Sequence, residues 1–128
     1  MLIRCGAALF AGLMLMPHAC AESVADFYKG RTINLIVGYG PGGGYDLFAR
    51  LLARHLGRYV PGNPTVVVQN MPGAGSLRAT NFLYAVAPRD GATIGSFARD
   101  MPLLAILRTN AAAVFDPRKF TWLGSSSD

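Results

Sequence analysis

The chain has 128 residues, of which 52% are apolar, and carries a formal net charge of +5. These totals allow one small α/β domain with a packed core. The positive charge comes from arginines scattered along the chain without a long basic run, which argues against a nucleic-acid-binding protein. A mild positive field of this kind helps to attract an acidic solute.

The first 21 residues have the pattern of an export signal. Arg4 precedes an apolar run over 7–16, and the small residues of 19–21 fit a signal-peptidase site with cleavage before Glu22. The apolar run is shorter than the roughly 20 residues that a membrane-spanning helix needs. Lipidation of Cys20 is the disfavoured alternative, because the preceding residues lack the usual branched apolar side chain. We therefore predict a cleavable signal peptide over 1–21 and a periplasmic location.

The remaining residues, 22–128, contain no cysteine, because Cys5 and Cys20 both lie in the predicted signal peptide. An exported chain without disulfides suits the bacterial periplasm, where a hydrophobic core replaces covalent cross-links. The sequence ends in a pattern typical of a strand that leads into a loop, which predicts a fragment of a longer protein.

The first predicted elements are a strand over about 32–38 and a helix over about 45–58. The strand is an apolar run of branched residues, typical of a strand covered on both faces. The helix has apolar residues at intervals of three and four, which predicts that one stripe faces the sheet: Phe48, Leu51, Leu52, Leu56 and Tyr59. Its arginines are predicted to form a solvated face: Arg50, Arg54 and Arg58.

Further strands are predicted over about 65–70 and 92–97, with a helix over about 75–87 between them. A short helix over about 103–108 and an irregular segment lead to a possible fourth strand over 120–124. Strands that alternate with helices at this spacing predict an α/β fold with a doubly wound, mostly parallel sheet and right-handed crossovers.

Two of the predicted strands run directly into glycine-rich loops that open helices, at 41–46 and at 72–76. Glycine lets the backbone approach a ligand closely, and a helix start adds free N–H groups and a partial positive charge. Two such loops side by side are expected to form one anion pocket.

A nucleotide- or dinucleotide-binding enzyme is the alternative, because Gly38, Gly40 and Gly43 satisfy the dinucleotide fingerprint. Pro41, however, removes an N–H group that the pyrophosphate would use. Asn70 ends the second strand, where an acidic residue should bind the ribose. An exported chain also has poor access to soluble nicotinamide.

Catalytic and metal-binding patterns are sparse. His55 is the only histidine beyond the signal peptide, and a nucleophile elbow of the Gly-x-Ser-x-Gly type is absent from the sequence. We therefore predict a protein that is not an enzyme and that has no cofactor and no metal.

Four side chains near the loops have two readings each. Asp46 follows the first loop and either contacts a ligand or accepts a backbone N–H at the helix start; the second role is favoured, because a carboxylate would repel an anion. Tyr39 and Tyr45 either line the pocket or pack against neighbours. Arg99 follows the third strand and either pairs with a ligand carboxylate or faces solvent.

The segments 39–46, 70–76 and 88–91 together resemble the Bug-type periplasmic solute receptors of tripartite tricarboxylate transporters. The resemblance covers nearly all of 22–128. It implies a two-lobed binding-protein fold, of which this chain holds part of lobe one without the second lobe. It also implies a small carboxylated solute, gripped mainly by loop amides and ordered water, and a membrane permease as partner.

Carried over to this chain, the resemblance implies two sets of ligand-binding positions. The first loop supplies Gly42, Gly43, Gly44, Tyr45 and Asp46. The second loop supplies Ala74, Gly75 and Ser76. Four positions depart from the family pattern: Ser76 where glycine is frequent, Tyr45 where a small polar residue is common, and Arg99 with Asp100 where small polar residues are common.

Overall fold

The computed structural model describes residues 22–107 and 111–125, so the predicted signal peptide lies outside the described residues. Within these two ranges, no helix combines the length and the apolar character that crossing a membrane requires.

The centre of the fold is a sheet of three parallel strands in the order β2-β1-β3. The strands are β1 (Thr32–Val37), β2 (Thr65–Asn70) and β3 (Thr93–Ser96). β1 is the middle strand and carries four buried apolar residues: Ile33, Leu35, Ile36 and Val37. A strand covered on both faces needs apolar residues on both sides, as its sequence shows.

In residues 22–107 and 111–125, four α-helices and three short 3-10 turns accompany the sheet. The helices are α1 (Val24–Tyr28), α2 (Gly44–Leu56), α3 (Leu77–Ala85) and α4 (Met101–Ile106). The 3-10 turns are Gly57–Tyr59, Ala74–Ser76 and Pro117–Lys119. The three predicted strands and both long helices are therefore confirmed to within a few residues, and so is the α/β class with a parallel sheet.

The predicted strand at 120–124 is wrong. In its place, Phe120 and Trp122 join an aromatic cluster with Phe97, with ring centroids 5.7 to 6.0 Å apart. The Trp122 indole N–H also donates to the Pro117 carbonyl, over 2.9 Å. Phe120 and Trp122 therefore pack beside Phe97, directly after β3, whereas Leu123 is exposed.

The predicted inward face of α2 is also wrong at four of its five positions, with Leu56 the exception. Phe48, Leu51, Leu52 and Tyr59 are 46% to 78% exposed, whereas Ala49 is only 3% exposed. The side of α2 that meets the sheet runs through Tyr45, Ala49, Ala53 and Leu56, which are buried or partly buried. The small alanines let the helix approach the sheet closely, and the larger apolar residues are thereby turned away from it. Between α2 and β3 they line an open groove with His55 and Ser96.

Two clusters of buried side chains form the core. The first joins β1 to α2 through Leu35, Val37 and Ala49. The second joins α3, α4 and the following segment through Leu77, Ala98, Met101 and Phe115. Tyr39 packs against both clusters, so the segment after β1 is anchored on two sides.

We expect Leu35→Ala to lower the free energy of unfolding far more than Leu51→Ala. Leu35 is 1% exposed and Leu51 is 53% exposed, and a buried Leu→Ala change costs about 2–5 kcal/mol. Urea unfolding of the two variants measures the difference. Equal losses would show that the outer face of α2 is covered in solution.

Candidate functional site

All three strands end at one edge of the sheet, and this edge carries the predicted site. Val37 is in register with Asn70 on one side and with Ser96 on the other. Backbone hydrogen bonds continue past the strands, from Gly38 N to Ser96 O (2.9 Å) and from Met71 N to Val37 O (2.7 Å). The loops that follow the three strands therefore start side by side, where ligands bind in open parallel sheets.

The first glycine loop opens α2. Gly42 has a φ of +87°, which favours glycine, and its N–H donates to the Asp46 carboxylate over 2.9 Å. The N–H groups of Gly43, Gly44 and Tyr45 have no acceptor among the described residues. Free space lies beside the loop, since a Cβ added to Gly44 would meet no atom within 4 Å. These three amides are available to an anion at the positive end of the helix.

Asp46 is buried in the first turn of α2 and accepts hydrogen bonds from three donors. Its Oδ2 accepts from Gly42 N and from Arg50 Nε, both at 2.9 Å, and its Oδ1 accepts from Asn70 Nδ2 at 2.8 Å. The Arg50 hydrogen bond, followed by those of Gly42 and Asn70, holds the pKa of the Asp46 carboxyl far below its usual range. The prediction that Asp46 accepts a backbone N–H at the helix start is confirmed.

Two of the partners of Asp46 were not expected from the sequence. Arg50 was placed with the solvated arginines, but its half-exposed guanidinium pairs with Asp46 and donates from Nη2 to Asn70 Oδ1 over 3.2 Å. Asn70 also donates to the Tyr39 carbonyl over 3.0 Å. The spacing of four between Asp46 and Arg50 was the available signal. No signal in the sequence indicated the contribution of Asn70, because only the pairing of β2 with β1 brings it close to Asp46.

The second glycine loop has an unusual backbone. Four consecutive residues have positive φ: Gly73 (+144°), Ala74 (+47°), Gly75 (+60°) and Ser76 (+86°). The N–H groups of Ala74 and Gly75 have no acceptor among the described residues. A Cβ on Gly75 would meet nothing within 4 Å, so the loop surface is open there. Successive outward N–H groups of this kind form an anion-binding concavity.

Ser76 faces inward and closes the second loop against the strands. It is fully buried, and its Oγ accepts from Ala98 N over 3.2 Å. Its carbonyl accepts from the Thr80 hydroxyl over 3.0 Å, and its own N–H donates to Gly73 O. The hydroxyl and the N–H of Ser76 are therefore both engaged within the protein.

The remaining predicted site residues lie at the same edge. Tyr39 and Tyr45 stack on each other with ring centroids 4.4 Å apart, and both pack against the core. Burial, and then the neighbouring Tyr45 and Asp100, raise the pKa of the Tyr39 hydroxyl. Arg99 is exposed in the loop after β3. His55 lies near the end of α2, and no metal-binding cluster occurs in the portion of the chain that the structure describes.

We expect Asp46 to make stability depend on acid pH. Its pKa is lowered in the folded protein, so its contribution is present above the ordinary pKa of 3.8 and is lost as the pH falls below that value. Urea unfolding from about pH 5 to about pH 2 should show a steeper loss for the unaltered protein than for Asp46→Asn. Asp116→Asn, at a more exposed ion pair, is the control and should change the slope less. Identical slopes for Asp46→Asn and the unaltered protein would contradict this expectation.

We also expect Gly38→Ala to be rescued by Ser76→Gly. A Cβ on Gly38 would lie 1.7 Å from Ser76 Oγ and 2.7 Å from its Cβ, and overpacking of this kind costs about 1–3 kcal/mol or more. Removing the Ser76 side chain clears the two closest contacts and relieves a left-handed non-glycine residue, but the Cα of residue 76 stays 3.0 Å from the added Cβ, so we expect a partial rescue. Thermal unfolding of both single variants and the double variant measures the coupling. A double variant less stable than Gly38→Ala would contradict the close approach.

Comparison with known proteins shows relatives over part of the chain. The chain is 43% identical over 93 residues to Protein BugT of Bordetella pertussis, a match to 72% of this chain and 28% of that protein. It is 38% identical over 87 residues to the UPF0065 protein in gbd 5'region of Cupriavidus necator, a match to 68% of this chain and 25% of that protein. It is 36% identical over 69 residues to the UPF0065 protein in tcbD-tcbE intergenic region of Pseudomonas sp. strain P51, a match to 54% of this chain and 20% of that protein.

No family model and no solved structure matches the chain. The matched segments span about a quarter of the length of the curated relatives. These matches confirm the resemblance drawn from the glycine loops, and the chain is a relative of the Bug-type (UPF0065) proteins.

Proposed function

We propose that this chain is part of a periplasmic solute-binding protein that holds the carboxylate of a small acid with backbone amides of its two glycine-rich loops. The observation that carries this proposal is the pair of open loops at one sheet edge. They follow adjacent parallel strands, and five of their amides have no acceptor within residues 22–107 and 111–125: Gly43, Gly44, Tyr45, Ala74 and Gly75. The similarity to Protein BugT supports the same assignment.

The electrostatics of the edge favour an anion. The start of α2 carries the positive end of the helix dipole, and the Asp46 carboxylate beneath it is paired with Arg50 at 2.9 Å. The paired carboxylate therefore opposes a bound anion less than a free one would. Each hydrogen bond from an amide to a charged carboxylate contributes about 1.5–3 kcal/mol. Gly42, Asp46 and Ser76 support the loops in this proposal, with their polar groups turned inward.

The complete protein in this proposal has two lobes. Residues 1–21 direct export, and the mature sequence forms part of a doubly wound lobe one that begins at Glu22. A second lobe closes over the solute and presents it to a membrane permease. The length of the relatives, about four times the matched segment, is compatible with such an addition. The solute is a di- or tricarboxylate, an aromatic acid or an acidic amino acid, and it leaves unchanged.

The dinucleotide enzyme is less well supported by the structure. Asn70 stands at the strand end where a ribose-binding acid would be needed, and its side chain is occupied by Asp46, Arg50 and Tyr39. Absorbance and fluorescence of the purified protein provide a direct check. A bound flavin or nicotinamide would favour the enzyme over the receptor.

We expect Gly43→Val to weaken solute binding by about tenfold or more, since branched carbons would stand in front of the free amides. Gly43 has a negative φ of −82°, and a Cβ there would approach only Gly40 O, at 4.0 Å. The fold should therefore tolerate the change. Arg54→Ala, one turn beyond Arg50 on α2, is the matched control and should leave the affinity nearly unchanged.

Calorimetry of the full-length protein with citrate, succinate, glutamate and benzoate measures both effects. Saturable binding of at least one acid by the unaltered protein supports a receptor, and silence across this and a wider acid panel would argue against it. Equal losses in Gly43→Val and Arg54→Ala would refute the loop-amide mechanism while leaving a receptor possible.

A further inference from the structure

We infer that Asp46, Arg50 and Asn70 form a clamp that positions the first glycine loop for ligand binding without touching the ligand. The clamp is assigned from its hydrogen bonds, and its effect on affinity rests on the proposed function. In this inference Asp46 is a positioning residue and not a ligand contact. Arg50 and Asn70, which lie outside the glycine motif, share that role.

The first step is the complete use of the Asp46 carboxylate. Oδ2 receives two hydrogen bonds and Oδ1 receives one, all between 2.8 and 2.9 Å, and the residue is 3% exposed. A carboxylate in this state has little capacity left for a solute. Its pairing with Arg50 also limits the repulsion of an anion above it.

The second step is the bridge made by Asn70. Its carboxamide donates to Asp46 Oδ1 and to Tyr39 O, and it accepts from Arg50 Nη2. Tyr39 lies two residues before the first loop and Asp46 at its end, so one side chain from β2 is hydrogen-bonded on both sides of the loop. A carboxamide can do this because it carries donors and an acceptor together. Aspartate would offer acceptors only and would face Asp46 with a like charge.

The third step is the planar guanidinium of Arg50. Its Nε reaches Asp46 and its Nη2 reaches Asn70, from a position one helical turn beyond Asp46. A lysine would keep the charge but has no fork to reach two acceptors in fixed directions. Arg54 continues the same row of α2, is exposed and takes no part in the network.

The consequence is a fixed conformation at Gly42. The Asp46 carboxylate holds the Gly42 N–H within the loop while Gly42 adopts its φ of +87°. The next three amides, those of Gly43, Gly44 and Tyr45, are thereby left for the solute. Preorganised donors bind more strongly than mobile ones because ordering costs are met before binding.

The test uses Asn70→Asp, Asp46→Asn and the exchanged pair Asp46→Asn/Asn70→Asp in the full-length protein, with Arg54→Ala as control. The exchanged pair keeps the net charge and restores one carboxylate, one carboxamide and the arginine. Solvent hydrogen exchange of the Gly42 amide, measured by NMR without ligand, reports the clamp. Calorimetry with citrate, succinate, glutamate and benzoate reports binding.

We expect Asn70→Asp to speed Gly42 exchange and to weaken binding of the responding acid, each by about tenfold or more at neutral pH. The exchanged pair should recover most of the Gly42 protection and most of the affinity. Recovery is incomplete because a carboxylate at position 70 cannot donate to Tyr39 O. Arg50→Lys should also speed Gly42 exchange and weaken binding, but by less. It replaces Asn70→Asp as the test variant if Asn70→Asp fails to fold.

Unchanged Gly42 exchange in Asn70→Asp and Arg50→Lys would overturn the clamp. Faster exchange with unaltered affinity would overturn its positioning role. If no acid binds the unaltered protein, the proposed solute class fails, and Gly42 exchange together with recovery in the exchanged pair still decides whether the clamp exists.

Discussion

The parallel pairing of β1 with both neighbours is the constraint on which the candidate site depends. The register sets Val37 beside Asn70 and Ser96, so each following loop starts from the same sheet edge. Hydrogen bonds and close contacts then link the loops to one another. Asn70 joins the end of β2 to the first loop, and Ser76 joins the second loop to Ala98 beyond β3. A one-residue shift in register would turn Asn70 to the other face of the sheet and would break the first of these links.

The two loops are held in their positive-φ backbone conformations by different interactions. The first loop places a single glycine, Gly42, at positive φ and secures it with a carboxylate. The second loop carries four successive positive φ values, two of them at non-glycine residues, Ala74 and Ser76. Such residues cost about 1–3 kcal/mol each and persist only where the surroundings determine them. The buried hydroxyl of Ser76, which contacts Gly38 and accepts from Ala98 N, holds the backbone of Ser76 in this conformation.

Local patterns in the sequence predicted the strands, the long helices and both loops, because branched apolar runs and glycine clusters act over a few residues. Long-range geometry could not be predicted in this way. Asn70 lies 24 residues from Asp46, and only strand pairing brings the two together. The inward stripe of α2 was assigned to large apolar residues, whereas Ala49 sets the distance to the sheet. The apolar character of 120–124 suggested a strand, but its aromatic rings found partners around Phe97.

A division of roles follows from where the polar groups point. The side chains of Asp46, Asn70 and Ser76 hydrogen-bond within the protein, while the loop donors that find no acceptor in the described part of the chain belong to the backbone. Backbone amides recognise a carboxylate as such and are indifferent to the rest of the acid that carries it. Under the proposed function, selection among acids would then come from side chains that surround this edge. Arg99 and the partly buried Tyr45 lie there and could contribute. In the proposed receptor, the contact with the carboxylate and the selection among acids are thus carried by separate groups, so the solute could change without rebuilding the fold.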